Sequence, residues 1–194
     1  MIKSAMEIKL IKGTAILIKG KKESVLVNPE PEMLPKINTR LVIYNRANYA
    51  ELRTVGERVS IMGPGEYEIG GVEVNGFNGG DGNTVYTVFA DGVMVGILGK
   101  LKEELSEKKS GKISGVDVLI VDVENEQTVG SKYVLKLAKS WGANYIIPIG
   151  NNQEEITKFL DVADDEGLEP VESLKIDKDN LPDGTEIVLL KEGN

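Results

Sequence analysis

From Met6 the chain alternates apolar and polar residues in short runs: MEIKLIK, TAILIKG, then SVLVNP. A period of two marks half-buried strands, and the Lys-Gly and Gly-Lys-Lys-Glu breaks between them suit tight turns. NTRLVIY is different. Its apolar residues run without a break, as in a strand covered on both faces. A polar loop follows, from Tyr44 to Tyr49. RVSIMGPGEYEIGGVEVNGF predicts two or three further strands, with turns at Gly63-Pro64-Gly65 and Gly70-Gly71. NTVYTVFADGVMVGIL predicts a hairpin, because Asp91-Gly92 supplies type I′ turn residues between two alternating runs. The Gly-rich stretch before it, Gly76 to Asn83, is expected to be a flexible connection, with a turn within Asn78 to Asn83. It lacks the pattern of a phosphate-cradling loop.

Beyond this the pattern changes. Leu101 to Lys109 predicts a short helix, and VDVLIVDV a buried strand of the parallel kind. Gln127 to Trp141 predicts a helix with Val129, Tyr133, Leu137 and Trp141 along one face. NYIIPIG predicts another strand. Asn152 to Glu166 predicts a helix that opens on an Asn cap and buries Ile156, Phe159, Leu160 and Ala163. TEIVLLKE predicts a closing strand. Strands before about residue 98 and β-α units after it predict one layered domain over 1–194, with a β-rich half (about 1–98) and a β-α half (about 99–194).

Composition narrows the function classes. The chain has 194 residues and a net charge of −8, a poor match to nucleic acid, which needs clustered Lys and Arg. No apolar run reaches the ~18 residues of a membrane helix. The start, MIKSAMEIKL, lacks a signal-peptide core, and with no Cys the expected location is the cytoplasm. There is also no His. Thiol nucleophiles, Ser-His-Asp triads and ordinary zinc sites are thereby excluded.

Several phrases, in their order, resemble one family: GPGEYEIGGVEVNG, GNTVYTVFADGVMVGILG, SGVDVLIVDV, NYIIPIG and LPDGTEIVLL. Together they resemble the metallo-β-lactamase fold, in its small stand-alone bacterial members like metal-dependent hydrolases, from about Met6 to Lys191. The resemblance implies an α+β fold, a four-layer αββα sandwich. It also implies a metal loop of the pattern H-x-H-x-D-H after a buried strand, with further ligands on later loops. On that template the ligand positions fall on Tyr44, Arg46, Asn48 and Tyr49. A later His position falls near Phe77 or Asn78, the bridging Asp on Lys100, and the last His on Gly150. A supporting Asp-Pro appears as Asn28-Pro29.

None of these residues is a usual metal ligand, and two are cations. A unit charge 4 Å away repels another by about 4 kcal/mol at an effective dielectric near 20, and a divalent ion by double that. No metal site and no cofactor are therefore expected, and no catalytic residue is assigned. The expectation is a pseudoenzyme, not an enzyme, that keeps the scaffold to bind a small anion or a protein partner. Tyr44, Arg46, Asn48, Tyr49, Lys100 and Gly150 mark the vestigial site.

Two alternatives stand beside it. One is a hydrolase with altered, non-zinc chemistry on a phosphate or carboxylate substrate, using Arg46 and Lys100 as electrophiles. A pocket joining those two cations to a carboxylate of raised pKa would favour it. The other is a structural subunit, such as a homo-oligomer. The strand-end acids Asp122, Glu124 and Glu126, and also Glu66 and Glu68, could hold Mg or Ca weakly. They read more simply as solvated charges and helix N-terminal acids.

Overall fold

The structure, a computed structural model, describes residues 6–34, 36–46, 58–123, 128–165 and 167–193. It contains two β-sheets packed face to face. The first takes β1 (Met6–Lys12), β2 (Ala15–Lys19), β3 (Ser24–Val27), β4 (Leu41–Tyr44), β5 (Val59–Met62) and β12 (Leu174–Ile176), in the order β12-β1-β2-β3-β4-β5. The second takes β6 (Gly65–Ile69), β7 (Val72–Gly80), β8 (Asn83–Ala90), β9 (Val93–Ile97), β10 (Val118–Asp122), β11 (Tyr145–Ile149) and β13 (Glu186–Ile187), in the order β13-β11-β10-β9-β8-β7-β6. Each sheet is mixed. β3, β4 and β5 run parallel, as do β9, β10, β11 and β13, while β6 to β9 form an antiparallel meander.

The alternating runs place one face of each strand in the core between the sheets, where Ile8, Ile16, Ile18 and Ile43 meet Val74, Val88, Val95 and Ile120. The unbroken run of β4 is explained by its second face. Val42 and Tyr44 point outward into a smaller cluster with Leu17, Leu26 and Leu34. The outer face of the second sheet is covered by α2 (Ser131–Trp141) and α3 (Gln153–Ala163), which bury Leu137, Trp141 and Phe159. The expected α+β sandwich is therefore present. Over the first sheet, the described cover is a 3-10 turn, Pro31–Met33, with Leu34 and Ile37.

Several sequence expectations need correction. Gly76 to Asn83 is not a flexible connection, while the turn expected within Asn78 to Asn83 is present. β7 continues to Gly80, and Asp81-Gly82 closes a two-residue hairpin with φ 47° and 72°. The Asp-Gly pair was the signal, obscured by the glycines before it. The helix expected over 101–109 shrinks to α1 (Glu107–Ser110). α2 begins at Ser131, and the expected start at Gln127 lies outside the described residues. α3 ends at Ala163, where Asp164 turns left-handed at φ 60°. The closing strand pairs only over Glu186–Ile187, and β12 was not anticipated, since three residues carry too little period to be seen. No helix among the described residues is long and apolar enough to cross a membrane.

Candidate functional site

Parallel strands in both sheets end at one rim, the usual position of a ligand crevice in open α/β sheets. A cavity of about 220 Å3 opens there. Its lining comes from strand ends: Asn28 after β3, Asn45 and Arg46 after β4, Gly99 and Lys100 after β9, and Asp122 closing β10. Thr14, in the turn between β1 and β2, completes it.

The rim is built by β4 leaving its own sheet. Asn28, left-handed at φ 47°, forms a reciprocal amide pair with Asn45. Its Nδ2 donates to Asn45 Oδ1 (2.8 Å), and Asn45 N donates to its Oδ1 (2.9 Å). Asn45 then crosses to the second sheet. Its Nδ2 donates to Thr84 O (2.6 Å), and Thr84 N donates to Asn45 O (2.7 Å). Arg46 continues the crossing as an antiparallel bridge to Asn83. The Tyr86 hydroxyl ties the same corner, donating to Tyr44 O (3.1 Å) and accepting from Gly63 N (2.7 Å).

Gly99 is required at this junction. Its φ is +63°, and a Cβ there would lie 2.5 Å from Asn83 Oδ1 and 2.7 Å from Asn45 Cγ. The bare backbone lets β9 turn and bring Lys100 to the cavity. Asn83 donates through Nδ2 to Leu98 O (3.1 Å), while its buried Oδ1 has no hydrogen-bond partner among the described residues.

Charge in the cavity is uneven. Asp122 is 8% exposed, and burial pushes its carboxyl up to about 6, although Lys100 and Arg46 pull the other way. Arg46 donates from Nη2 to the Asp81 carboxylate (3.0 Å) and carbonyl (3.2 Å). Lys102 also pairs with Asp81 at 2.7 Å and, with Arg46, holds that exposed carboxyl below its ordinary value.

Of the six positions singled out in the sequence, Arg46 and Lys100 line the cavity. Tyr44 does not, since it is 1% exposed and packs in the outer cluster. Gly150 follows β11 next to the end of β10 but is not part of the lining. Asn48 and Tyr49 lie outside the described residues, as do Glu124 and Glu126. Phe77 packs against the core beneath the helices, Asn78 caps its own turn, and Glu66 and Glu68 stand exposed on edge strand β6. Asn45 was the residue missed. Nothing in its local pattern marks it, because its role comes from a contact 39 residues away.

The family profile described as "Beta-lactamase superfamily domain" matches residues 7–150. The chain belongs to the beta-lactamase superfamily. Its fold is similar to that of a protein from Thermotoga maritima provisionally named a Zn-dependent hydrolase of the metallo-beta-lactamase superfamily. The TM-score is 0.78 and the identity 23%, over 95% of this chain and 98% of that one. It is also similar to a protein from Parabacteroides distasonis provisionally named a metal-dependent hydrolase (TM-score 0.61, 12% identity, 96% and 94% covered). A third similar structure is a diphosphatase from the PhnP family (TM-score 0.55, 11% identity, 93% and 82% covered). At these identities the likeness is one of fold. No curated protein matches the sequence significantly.

These names overturn the expectation of a non-enzyme. Neighbours sharing the scaffold over nearly its whole length are named hydrolases, which points to an enzyme. The earlier expectation took the loss of usual ligands as the loss of chemistry, yet an ionisable carboxyl and two cations line the same cavity. A zinc or iron centre of the usual kind does not fit these residues. The chain has no His or Cys, and among the described residues the lining offers one carboxylate against two cations. Among the described residues no three His, Cys, Asp or Glu come together.

Proposed function

We propose that this chain is a hydrolase acting on a small anionic substrate, a phosphate or a carboxylate, by proton transfer and charge stabilisation without zinc. The observation that carries the reading is the meeting of Arg46, Lys100 and Asp122 in one cavity, with Asp122 pushed up to about 6. An acid that titrates near working pH is suited to take and return protons, an effect worth roughly 10²–10⁴-fold in rate. Arg46 and Lys100 supply fixed positive charge where negative charge grows in the transition state. In the step, the oxygen of a water molecule bonds to the phosphorus or acyl carbon and the bond to the leaving oxygen breaks. Asp122 gives its proton to the leaving oxygen, and the proton lost by the water restores it. The hydrolase names of the structural neighbours support the reaction class, and the diphosphatase among them supports a phosphate.

The bond from Arg46 to Asp81 favours a second reading of Arg46 alone, as a tether for the β7–β8 turn. Lys100 and Asp122 then carry the chemistry. Assays of phosphomonoester, phosphodiester and carboxylate-bearing ester substrates test the proposal against an Arg46→Ala/Lys100→Ala double variant. The expected result is turnover of at least one anionic substrate that the double variant loses. Equal turnover by both proteins across the panel would refute it. Loss on Lys100→Ala but not Arg46→Ala would select the second reading.

A further inference from the structure

The second sheet ends on β6, and no described strand lies beyond it. The register of β6 decides which of its backbone groups are left open. Ile69 and Val72 flank the two-residue turn Gly70-Gly71, with φ 62° and 85°, so they form a hydrogen-bonded pair. In an antiparallel ladder such pairs alternate with pairs that share no hydrogen bond. Gly65 and Tyr67 therefore bond to β7, while the N–H and C=O groups of Glu66 and Glu68 point away from it. No hydrogen bond from another described element reaches them.

We propose that this edge takes up an extended segment of a partner protein as an added strand, with basic residues on its outer face and apolar residues on its inner face. Two sets of side chains define that occupant. On the outer face Glu66, Glu68 and Glu73 all stand exposed, and neither β6 nor β7 carries a Lys or Arg. Glu68 lies directly opposite Glu73 in a pair without hydrogen bonds, where side chains come closest and like charges repel. None of the three forms an ion pair with another described residue. On the inner face Tyr67 and Ile69 are only half-buried against the core between the sheets. So is Val59 on β5, the last strand of the first sheet.

An incoming strand with Lys or Arg opposite Glu66 and Glu68 relieves the repulsion. Its alternate apolar residues cover Tyr67 and Ile69, and its main chain pairs with the open N–H and C=O groups. Strand addition of this kind draws affinity from the backbone and specificity from alternate side chains. A second copy of this chain fits poorly. Antiparallel pairing of β6 with itself about Tyr67 sets Glu66 against Glu68 twice, and pairing about either Glu sets that residue against itself. No residue of β6 lines the cavity, so the inference is independent of the hydrolase reading.

The probe is a synthetic peptide alternating Lys and Val, capped at both ends, titrated into the full chain and followed by amide NMR and hydrogen exchange. The expected result is saturable binding that slows exchange at the Glu66 and Glu68 N–H groups. Exchange at Tyr67, already bonded to β7, should change little. The same peptide with Glu in place of Lys should bind at least about tenfold more weakly, because it reverses two cross-strand charge pairs. A peptide N-methylated on its pairing edge should not bind. Glu66→Lys/Glu68→Lys should invert the preference between the two charged peptides, and the comparison in wild type stands without it. No saturable binding, equal affinity for the Lys and Glu peptides, or protection that spares Glu66 and Glu68 would each overturn the proposal. So would protection of those two groups that grows with protein concentration in the absence of peptide, which would assign the edge to a second copy.

Discussion

β10, an inner strand of the parallel set, has a buried aspartate at each end, and the two are treated differently by the fold. Asp117, just before β10, is 4% exposed and accepts from the backbone N–H of Met94 (2.8 Å) and from Lys178 Nζ. It ties β9 and the 3-10 turn Lys178–Asn180 to the start of β10, and its chemistry is used up in structure. Asp122, five residues on, closes the same strand in a cavity wall, 8% exposed, where burial pushes it up to about 6. The first aspartate holds the fold together. The second costs the fold something and keeps a proton exchangeable near neutral pH. Parallel strands carry stability at their starts and ligands at their ends, and one strand here shows both.

Exchanging the two positions separates them most sharply in activity. Asp122→Asn is expected to lower turnover of the anionic substrate by roughly 10²-fold or more, as for loss of a general acid–base group. Asp117→Asn should retain wild-type turnover at a temperature where it is folded. A steady-state assay of both variants checks this, and equal losses would erase the distinction.

In stability the order reverses. Raising a buried acid from about 3.8 to about 6 disfavours the folded state by about 2–3 kcal/mol once the group is ionised. The folded protein binds the proton more tightly than the unfolded chain, so stability falls as pH rises from about 4 to about 6 and is level above that. Asp122→Asn should flatten this window and raise stability at pH 7 by up to that amount. Asp117→Ala should instead lose about 1–3 kcal/mol, because it removes the partner of the part-buried Met94 N–H. Urea unfolding at pH 4.5 and pH 7 measures both signs.

Gly99→Ala tests the junction that brings Lys100 to the cavity. The left-handed backbone and the contact at 2.5 Å with Asn83 Oδ1 predict a loss of about 1–3 kcal/mol, read by thermal unfolding. The smallest effect is expected from Tyr86→Phe. Removing the hydroxyl that ties Tyr44 to Gly63 should cost about 1 kcal/mol and leave the cavity lining intact.

Much of this architecture was legible in the sequence because it rests on local period. The alternation of MEIKLIK and TAILIKG, the Asp91-Gly92 turn and the unbroken run of β10 each specify a strand without outside help. The pairing of β12 with β1 was not legible, since it joins residues about 170 apart through three positions. The site divides the same way. Arg46 and Lys100 were found because the family template, laid on the sequence, sets two of its ligand positions on them. Asn45 was hidden because its function depends on Asn28 and Thr84, and Tyr44 was misplaced because the template sets a ligand position on a residue whose side chain packs in the outer cluster. Asp122 was read as a solvated strand-end charge. Its burial comes from the approach of the first sheet's rim, a tertiary fact.

Turnover after thorough chelation, measured for wild type beside Asp122→Asn, tests the central claim most directly. The account predicts that chelated wild type keeps its activity on an anionic ester and that Asp122→Asn loses at least about 10²-fold. Activity that vanishes on chelation and returns with one equivalent of zinc, or that survives Asp122→Asn undiminished, would contradict it.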